Sequence, residues 1–146
     1  MYGDNLVKLL TKTVELFEYN KKNKNTEFLL PEKTLIILPD FIGDTILLTP
    51  VIRNLRANFG KNTKIDIICN QNTLNLLETL PYINNFYLNN RINNKVLFLK
   101  RNRYDTVFIL NYSFLWYLAS FQAKISQRIG FNLERSGLRY PSAISY

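Results

Sequence analysis

The sequence predicts an α/β domain built on a parallel sheet, and three observations lead to this fold class. Short runs rich in isoleucine, leucine and valine recur along the 146-residue chain. Most of these runs are followed by a segment whose apolar residues repeat every three or four positions, as on one side of a helix. Gly60 and Pro81 stand where two of the helical segments stop. Strands that alternate with helices join through right-handed crossovers and lie parallel in one sheet.

Residues 1–30 are predicted to form an amphipathic helix and a basic linker ahead of the domain. Residues 5–19 carry large apolar side chains on one side of the predicted helix: Leu6, Leu9, Leu10, Val14 and Phe17. Residues 20–25 form the polar stretch Asn-Lys-Lys-Asn-Lys-Asn, which indicates a solvated linker. Residues 5–25 together suit contact with the anionic inner face of the cytoplasmic membrane. Packing of the helix on the domain, or a loose extension, is the alternative.

The domain itself is predicted to span residues 31–146 and to alternate strands with helices. The predicted strands are residues 34–38, 64–69, 85–88, 106–110 and 128–131. The predicted helices are residues 44–58, 73–80 and 113–124. The Asn-rich, basic segment 89–103 is left open between helix and loop. Pro50 either lies inside the first helix or begins its main body after a Thr49 cap. Beyond Phe131 the periodicity stops, and a loop is predicted.

Composition and charge restrict the classes of function. Apolar residues make up 47% of the chain, which is enough for one domain with its own core. Lys plus Arg number 19 against 11 acidic residues, and the net charge of +8 suits a phosphorylated or membrane-bound partner or only keeps the protein soluble. With no histidine and one cysteine, neither a zinc site nor an internal disulfide is predicted, and a reducing, cytoplasmic setting is expected. Nucleic acid is not an expected partner, because the basic residues are scattered without a known binding signature.

The run Leu35-Ile-Ile-Leu-Pro-Asp-Phe-Ile-Gly-Asp44 is the candidate site motif. An apolar strand breaks here at a Gly-Asp pair and gives way to a helix, and ligands of open α/β sheets bind beyond such strand ends. The turn has one glycine, Gly43, and no P-loop lysine, while Asp40 and Asp44 repel phosphate, so no nucleotide cofactor is predicted. In the first turn of a helix, backbone N–H groups and the dipole keep an aspartate ionised. Asp44 therefore suits a general base, or it serves only as an N-cap.

The stretch from Leu35 to Arg53 closely resembles the N-terminal signature of the heptosyltransferase-like glycosyltransferases, family nine. The matching features are the apolar strand, Asp40, the Ile42-Gly43-Asp44 motif, Leu48-Thr49-Pro50 and Arg53. Weaker matches follow in order along the chain: Lys64-Ile-Asp-Ile-Ile68, Leu76-Leu77 before Pro81-Tyr82-Ile83, Tyr104-Asp105 and Arg128-Ile-Gly-Phe131. The resemblance covers residues 33–131.

The resemblance implies a GT-B enzyme with two Rossmann-like domains and no catalytic metal or cofactor, of which this chain matches the N-terminal, acceptor-binding half. It implies inverting transfer from a nucleotide-sugar, such as ADP-heptose, to a lipopolysaccharide core or other glycan acceptor, with Asp44 as the base. The positions expected to bind substrate are Asp40, Gly43, Thr49, Arg53, Asn111 and Ser113. Of these, Asn111 and Ser113 follow the predicted strand 106–110 and either line the acceptor cleft or cap the next helix.

The chain also departs from the family. The C-terminal donor-binding domain has no counterpart here, so we expect a truncated form that transfers no sugar alone. A non-catalytic module that binds an anionic glycolipid or a partner protein is the alternative. Basic side chains after the motif are expected to attract the acceptor or only to be solvated: Arg53, Arg56, Lys61 and Lys64. Apolar residues near the end of the chain are expected to promote self-association: Phe131, Leu133, Leu138 and Tyr140.

Overall fold

The computed structural model describes residues 29–111 and 113–130, together with the backbone of residues 134–135 and 138–139. Five parallel strands form one sheet: β1 (Lys33–Ile37), β2 (Lys64–Cys69), β3 (Asn85–Leu88), β4 (Thr106–Ile109) and β5 (Gln127–Gly130). Their order in the sheet is β3-β2-β1-β4-β5, and every neighbouring pair is parallel. The predicted Rossmann-like α/β fold is confirmed.

Helices cover both faces of this sheet. In the described residues they are α1 (Ile42–Phe59), α2 (Gln71–Leu77), α3 (Lys95–Asn102) and α4 (Phe114–Gln122). Side chains from α1 and α2 pack with Ile36 on one face, whereas α3 and α4 pack with Leu35 and Ile37 on the other. Successive strand residues point to opposite faces, which explains how one strand serves both halves of the core.

The central strand β1 is buried along nearly its whole length. It pairs with β2 on one side and with β4 on the other, so that Leu35 lies between Asp66 and Val107. Leu35, Ile36 and Ile37 have no exposed surface. A parallel strand that is covered on both faces requires such a continuous apolar run. This run is why β1 could be predicted from the sequence.

Helix α1 begins earlier than predicted and continues through Pro50. It starts at Ile42, two residues before the predicted start, and Pro50 lies inside it. Proline has no N–H to donate to the carbonyl four residues earlier. The hydroxyl of Thr49 donates to that same carbonyl, of Ile46, over 2.7 Å. The Thr-Pro pair therefore keeps the helix continuous, and Thr49 is not its cap.

Gly60 ends α1 with a positive φ of 79° and a ψ of 169°. A glycine that ends a helix commonly adopts the left-handed helical conformation, but the ψ of Gly60 is far from the left-handed value. This backbone region is essentially restricted to glycine. The predicted end of the helix at Gly60 is confirmed, and the backbone of Gly60 is more extended than in a left-handed cap.

The Asn-rich segment that the sequence left open contains both turn and helix. A 3₁₀ turn covers Asn89–Arg91, and α3 follows from Lys95. The side chain of Asn94 accepts from the backbone N–H of Leu97 at 2.9 Å and so caps α3. Arg103 closes the helix in the left-handed conformation, with φ 54° and ψ 48°.

The ends of the chain add one finding. Glu134–Arg135 (β6) and Leu138–Arg139 (β7) pair antiparallel, where a loop was predicted. The predicted helix 5–19, the linker 20–25 and the side chains expected to promote self-association lie outside the described residues. Within the described ranges, no helix has both the length and the apolar content of a membrane span.

Candidate functional site

The sheet has one point at which the order of its strands reverses. From β1 the chain moves outward to β2 and β3, then returns to place β4 on the other side of β1. Ligands of open α/β sheets bind in the crevice beyond the carboxyl ends of the strands at such a point. The segments that follow β1 and β4 therefore flank the candidate site. They are held side by side, since Leu110 N–H donates to the Ile37 carbonyl over 2.9 Å.

The β1 side of the crevice is formed by the first turn of α1. Phe41 occupies the N-cap position in an extended conformation, and no side chain in the described part of the chain caps this turn. The N–H groups of the turn thus point toward the crevice with the positive end of the helix dipole. At Gly43, an added Cβ would meet no atom within 4 Å, so the turn has open space beside it.

Asp44 is the third residue of α1 and is not its N-cap. It is half-buried, and steps of four, seven and eleven residues bring Leu48, Val51 and Leu55 to its side of the helix. All three of those residues are buried against the sheet. The Asp44 carboxylate therefore lies at the head of the sheet-facing side of α1, above the carboxyl ends of the strands. In this position a base can meet a substrate that enters the crevice.

The turn that carries Asp40 is tied to the end of β2. Asp40 itself is exposed, and its carbonyl accepts a hydrogen bond from the Asn70 side-chain amide at 2.5 Å. The same Asn70 side chain caps α2 by accepting from Thr73 N–H at 3.0 Å. Sequence reasoning missed Asn70, although an asparagine between an apolar strand and a helix is a recognised capping signal.

The β4 side of the crevice contributes Asn111 and Ser113. Asn111 is 6% exposed, and its side-chain oxygen accepts the backbone N–H of Ser113 at 3.3 Å. Ser113 stands at the N-cap position of α4, but its hydroxyl makes no capping hydrogen bond there. The sequence left two roles open for Ser113, a helix cap or a lining residue of the cleft. The capping hydrogen bond is not formed, and Ser113 is half-buried beside the crevice.

Two of the expected substrate-binding residues lie away from this crevice. The Thr49 hydroxyl is engaged with the Ile46 carbonyl inside α1, and Thr49 comes five residues after Asp44, which turns it about 140° around the helix from Asp44. Arg53 is exposed and comes nine residues after Asp44, which places it about 13 Å farther along the helix and on the opposite side. The structure brings Asp40, Gly43, Asp44, Asn111 and Ser113 to one edge of the sheet and leaves Thr49 and Arg53 outside that group.

The other basic side chains after the motif lie toward the opposite edge. Arg56 is in the last turn of α1, and its guanidinium donates to the Thr63 carbonyl at 2.7 Å. Lys64 is the first residue of β2, and Lys61 is exposed in the preceding turn. These cations are thus near the amino ends of the strands, whereas Asp44 is at the carboxyl ends.

A buried polar cluster near the amino ends of the strands was missed from the sequence. Asp66 in β2 has no exposed surface, and its carboxylate accepts from Tyr104 O–H and from the Asn85 amide, both at 2.8 Å. The ammonium of Lys33 lies 3.4 Å from the same carboxylate. Burial, followed by the hydrogen bond and charge of Asp66, raises the pKa of Tyr104. A buried carboxylate whose hydrogen bonds are satisfied has a structural role. The hydrogen bond between Asp66 and Tyr104 connects two of the segments that match the family weakly in sequence.

No set of three metal-ligating side chains comes together in the described part of the chain. The groups at the crevice are the carboxylates of Asp40 and Asp44, the hydroxyl of Ser113, the side-chain amide of Asn111 and the N-terminus of α1. Such a set accepts and donates hydrogen bonds to a sugar-like polyol and is able to take up a proton.

One of three comparisons with known proteins finds a match, and it supports the fold. The sequence matches no protein-family model and no curated protein. Among solved structures, the chain is similar to ADP-heptose LPS heptosyltransferase II from E. coli, with a TM-score of 0.58 and 27% identity. The match covers 67% of this chain and 30% of that one, so the chain spans about 30% of the length of the enzyme that it matches. The heptosyltransferase-like fold that the motifs indicated is confirmed.

Proposed function

We propose that this chain is the acceptor-binding part of an inverting, heptosyltransferase-like glycosyltransferase and that Asp44 is its general base. The observation that carries the proposal is the position of Asp44: half-buried, in the first turn of α1, at the switch point of the sheet. The similarity in fold to a heptosyltransferase supports sugar transfer as the reaction in which this carboxylate acts as a base. The proposed acceptor is a glycan, such as a phosphorylated lipopolysaccharide core.

In the proposed reaction, the oxygen of one acceptor hydroxyl attacks the anomeric carbon of the donor sugar, and Asp44 accepts the proton of that hydroxyl. The bond from that carbon to the nucleoside diphosphate breaks, and the diphosphate leaves with the electron pair on the opposite face, which inverts the configuration. The first turn of α1 places the Asp44 carboxylate at the positive end of the helix dipole. Ser113 and Asn111 are suited to hydrogen bond the acceptor from the β4 side.

Transfer requires donor and acceptor to be held together in attack geometry, which contributes several kcal/mol to lowering the barrier. The described residues provide one wall of such a cleft. We therefore propose that the 146-residue chain binds the acceptor but does not turn over a nucleotide-sugar by itself. A radiolabelled ADP-heptose assay on the purified chain tests this directly, and turnover that is lost on Asp44→Asn contradicts it.

The role of Asp44 is tested by comparing two aspartates of the same turn. In a hybrid in which residues 33–130 replace the matching part of the E. coli enzyme, Asp44→Asn should lower kcat by a factor of about 10² to 10⁴, because the general base is lost. Asp40→Asn is the matched comparison: it removes the same charge from an exposed neighbour that is expected only to bind substrate, so it should raise KM rather than lower kcat. Equal losses in the two variants would contradict the base role.

A second candidate, a glycolipid-binding module without chemistry, is favoured by one observation. Large apolar side chains are exposed around the first turns of α1: Phe41, Ile42, Ile46 and Leu47. Such a patch beside a sugar-binding crevice suits an acceptor that carries acyl chains at the inner face of the cytoplasmic membrane. Binding of the acceptor that survives Asp44→Ala, together with a hybrid whose kcat is unchanged by Asp44→Asn, would favour this candidate.

A further inference from the structure

Helix α4 has an apolar stripe on its solvent side, formed by Leu115, Leu118 and Phe121. These side chains are spaced three residues apart and are 60%, 39% and 58% exposed. The helix, Phe114–Gln122, contains no charged residue. The opposite side of the helix packs on the sheet, where Trp116 and Ala119 are buried. Contiguous apolar surface of this kind marks a place where another element binds.

The chain enters the described domain at the edge strand β5, whose opposite face carries the C-terminal end of this stripe. The backbone carbonyl of Leu29 accepts from the Gln127 side chain at 2.8 Å. Gln127 begins β5, and the guanidinium of the next residue, Arg128, lies 5.5 Å from the ring centre of Phe121. The side chains of Gln127 and Arg128 point to opposite faces of the sheet, so the segment that precedes Leu29 starts at the amino end of the edge strand β5, across this strand from the C-terminal end of the stripe.

The preceding sequence has the pattern that this stripe requires. The amphipathic helix predicted over residues 5–19 has five large apolar side chains on one side, and it lies outside the described residues. Nine residues, 20–28, connect it to Leu29 and reach up to about 30 Å when extended. The nine-residue α4 is only about 13 Å long, so the predicted helix reaches the whole stripe.

We propose that the predicted helix 5–19 packs its apolar side on the stripe of Leu115, Leu118 and Phe121 in the same chain. The short tether holds it there at an effective concentration in the millimolar range, which favours it over a second copy or a lipid surface. Charge supports the same pairing. Glu15 and Glu18 lie at the end of the predicted helix nearest the linker, and Arg128 lies at the C-terminal end of the stripe, across β5 from the point where the linker ends.

Cross-linking of paired cysteines in the full chain tests this contact. In a Cys69→Ala background, Leu10→Cys and Leu118→Cys are combined and treated with a short bismaleimide. The control pair combines Lys12→Cys, on the polar side of the predicted helix, with the same Leu118→Cys. We expect the Leu10 pair to form an intrachain cross-link about ten times faster than the control pair. Equal rates for the two pairs would overturn the proposal, and a product that is mainly interchain would assign the stripe to a second copy.

A second measurement does not depend on cross-linking geometry. Leu115→Cys, again with Cys69→Ala, reports the exposure of the stripe through its rate of maleimide labelling. Leu10→Glu should raise this rate several-fold by placing a charge on the apolar side of the predicted helix. Lys12→Glu is the control on the polar side and should leave the rate unchanged. Labelling that is insensitive to Leu10→Glu means that the helix does not cover the stripe.

Discussion

At the scale of single residues, the hydroxyl of Tyr104 makes the stability of the domain depend on pH under alkaline conditions. It donates to the fully buried Asp66, and its folded-state pKa is raised above the ordinary tyrosine value of 10.0. As the pH rises, the unfolded chain therefore loses this proton first. The stabilisation from the neutral hydroxyl is complete below about pH 10 and declines above it by about 1.4 kcal/mol per pH unit.

Tyr104→Phe tests this directly. The variant should lose about 1–3 kcal/mol of unfolding free energy near neutral pH, because the buried carboxylate loses a donor. The difference in unfolding free energy between the variant and the parent protein should then shrink as the pH rises from about 9 to about 11. Urea unfolding across this range measures both effects. Tyr82→Phe is the control, since Tyr82 packs in the other core cluster. A difference that stays constant with pH would contradict the pairing.

At the scale of elements, the turn between β1 and α1 depends on Asn70 from the end of β2. One Asn70 side chain supports two elements, since its amide holds the Asp40 carbonyl and its oxygen caps α2. The motif that carries Asp44 is therefore fixed by a contact 30 residues away in sequence. This explains how an N-terminal turn without a side-chain cap of its own keeps a defined position.

Asn70→Ala should loosen this turn and destabilise the domain. Loss of the cap alone costs about 1 kcal/mol. Amide hydrogen exchange of residues 40–45 should also become faster, because the Asp40 carbonyl loses its donor. Asn94→Ala is a matched control, because it removes the cap of α3, and the hydrogen bonds of Asn94 in the described part of the chain join it only to Leu97 and Phe98. If both variants change exchange at residues 40–45 equally, the Asn70 bridge is not what holds the motif.

At the scale of the whole molecule, the sheet could be predicted from sequence far better than the site. The bounds of β2 and β3 agree with the prediction at both ends, since isoleucine-rich or aromatic runs end at turn residues. The Asp66 and Tyr104 pair could not be predicted, because it joins residues 38 positions apart and depends on strand register. The separation of Arg53 from Asp44 follows from helical pitch once α1 is known to be continuous through Pro50.

The two core clusters meet in the shared sheet, which predicts that the domain unfolds as one cooperative unit. Cys69 reports this unfolding: it ends β2, is 2% exposed, and burial raises the pKa of its thiol. In native conditions we expect maleimide to label Cys69 at least about a thousand times more slowly than Cys in the exposed Asn75→Cys variant, made with Cys69→Ala. The free energy from Cys69 labelling in urea should equal that from circular dichroism. A clearly smaller value would show that the end of β2, where Asn70 supports the candidate site, opens independently of the rest of the sheet.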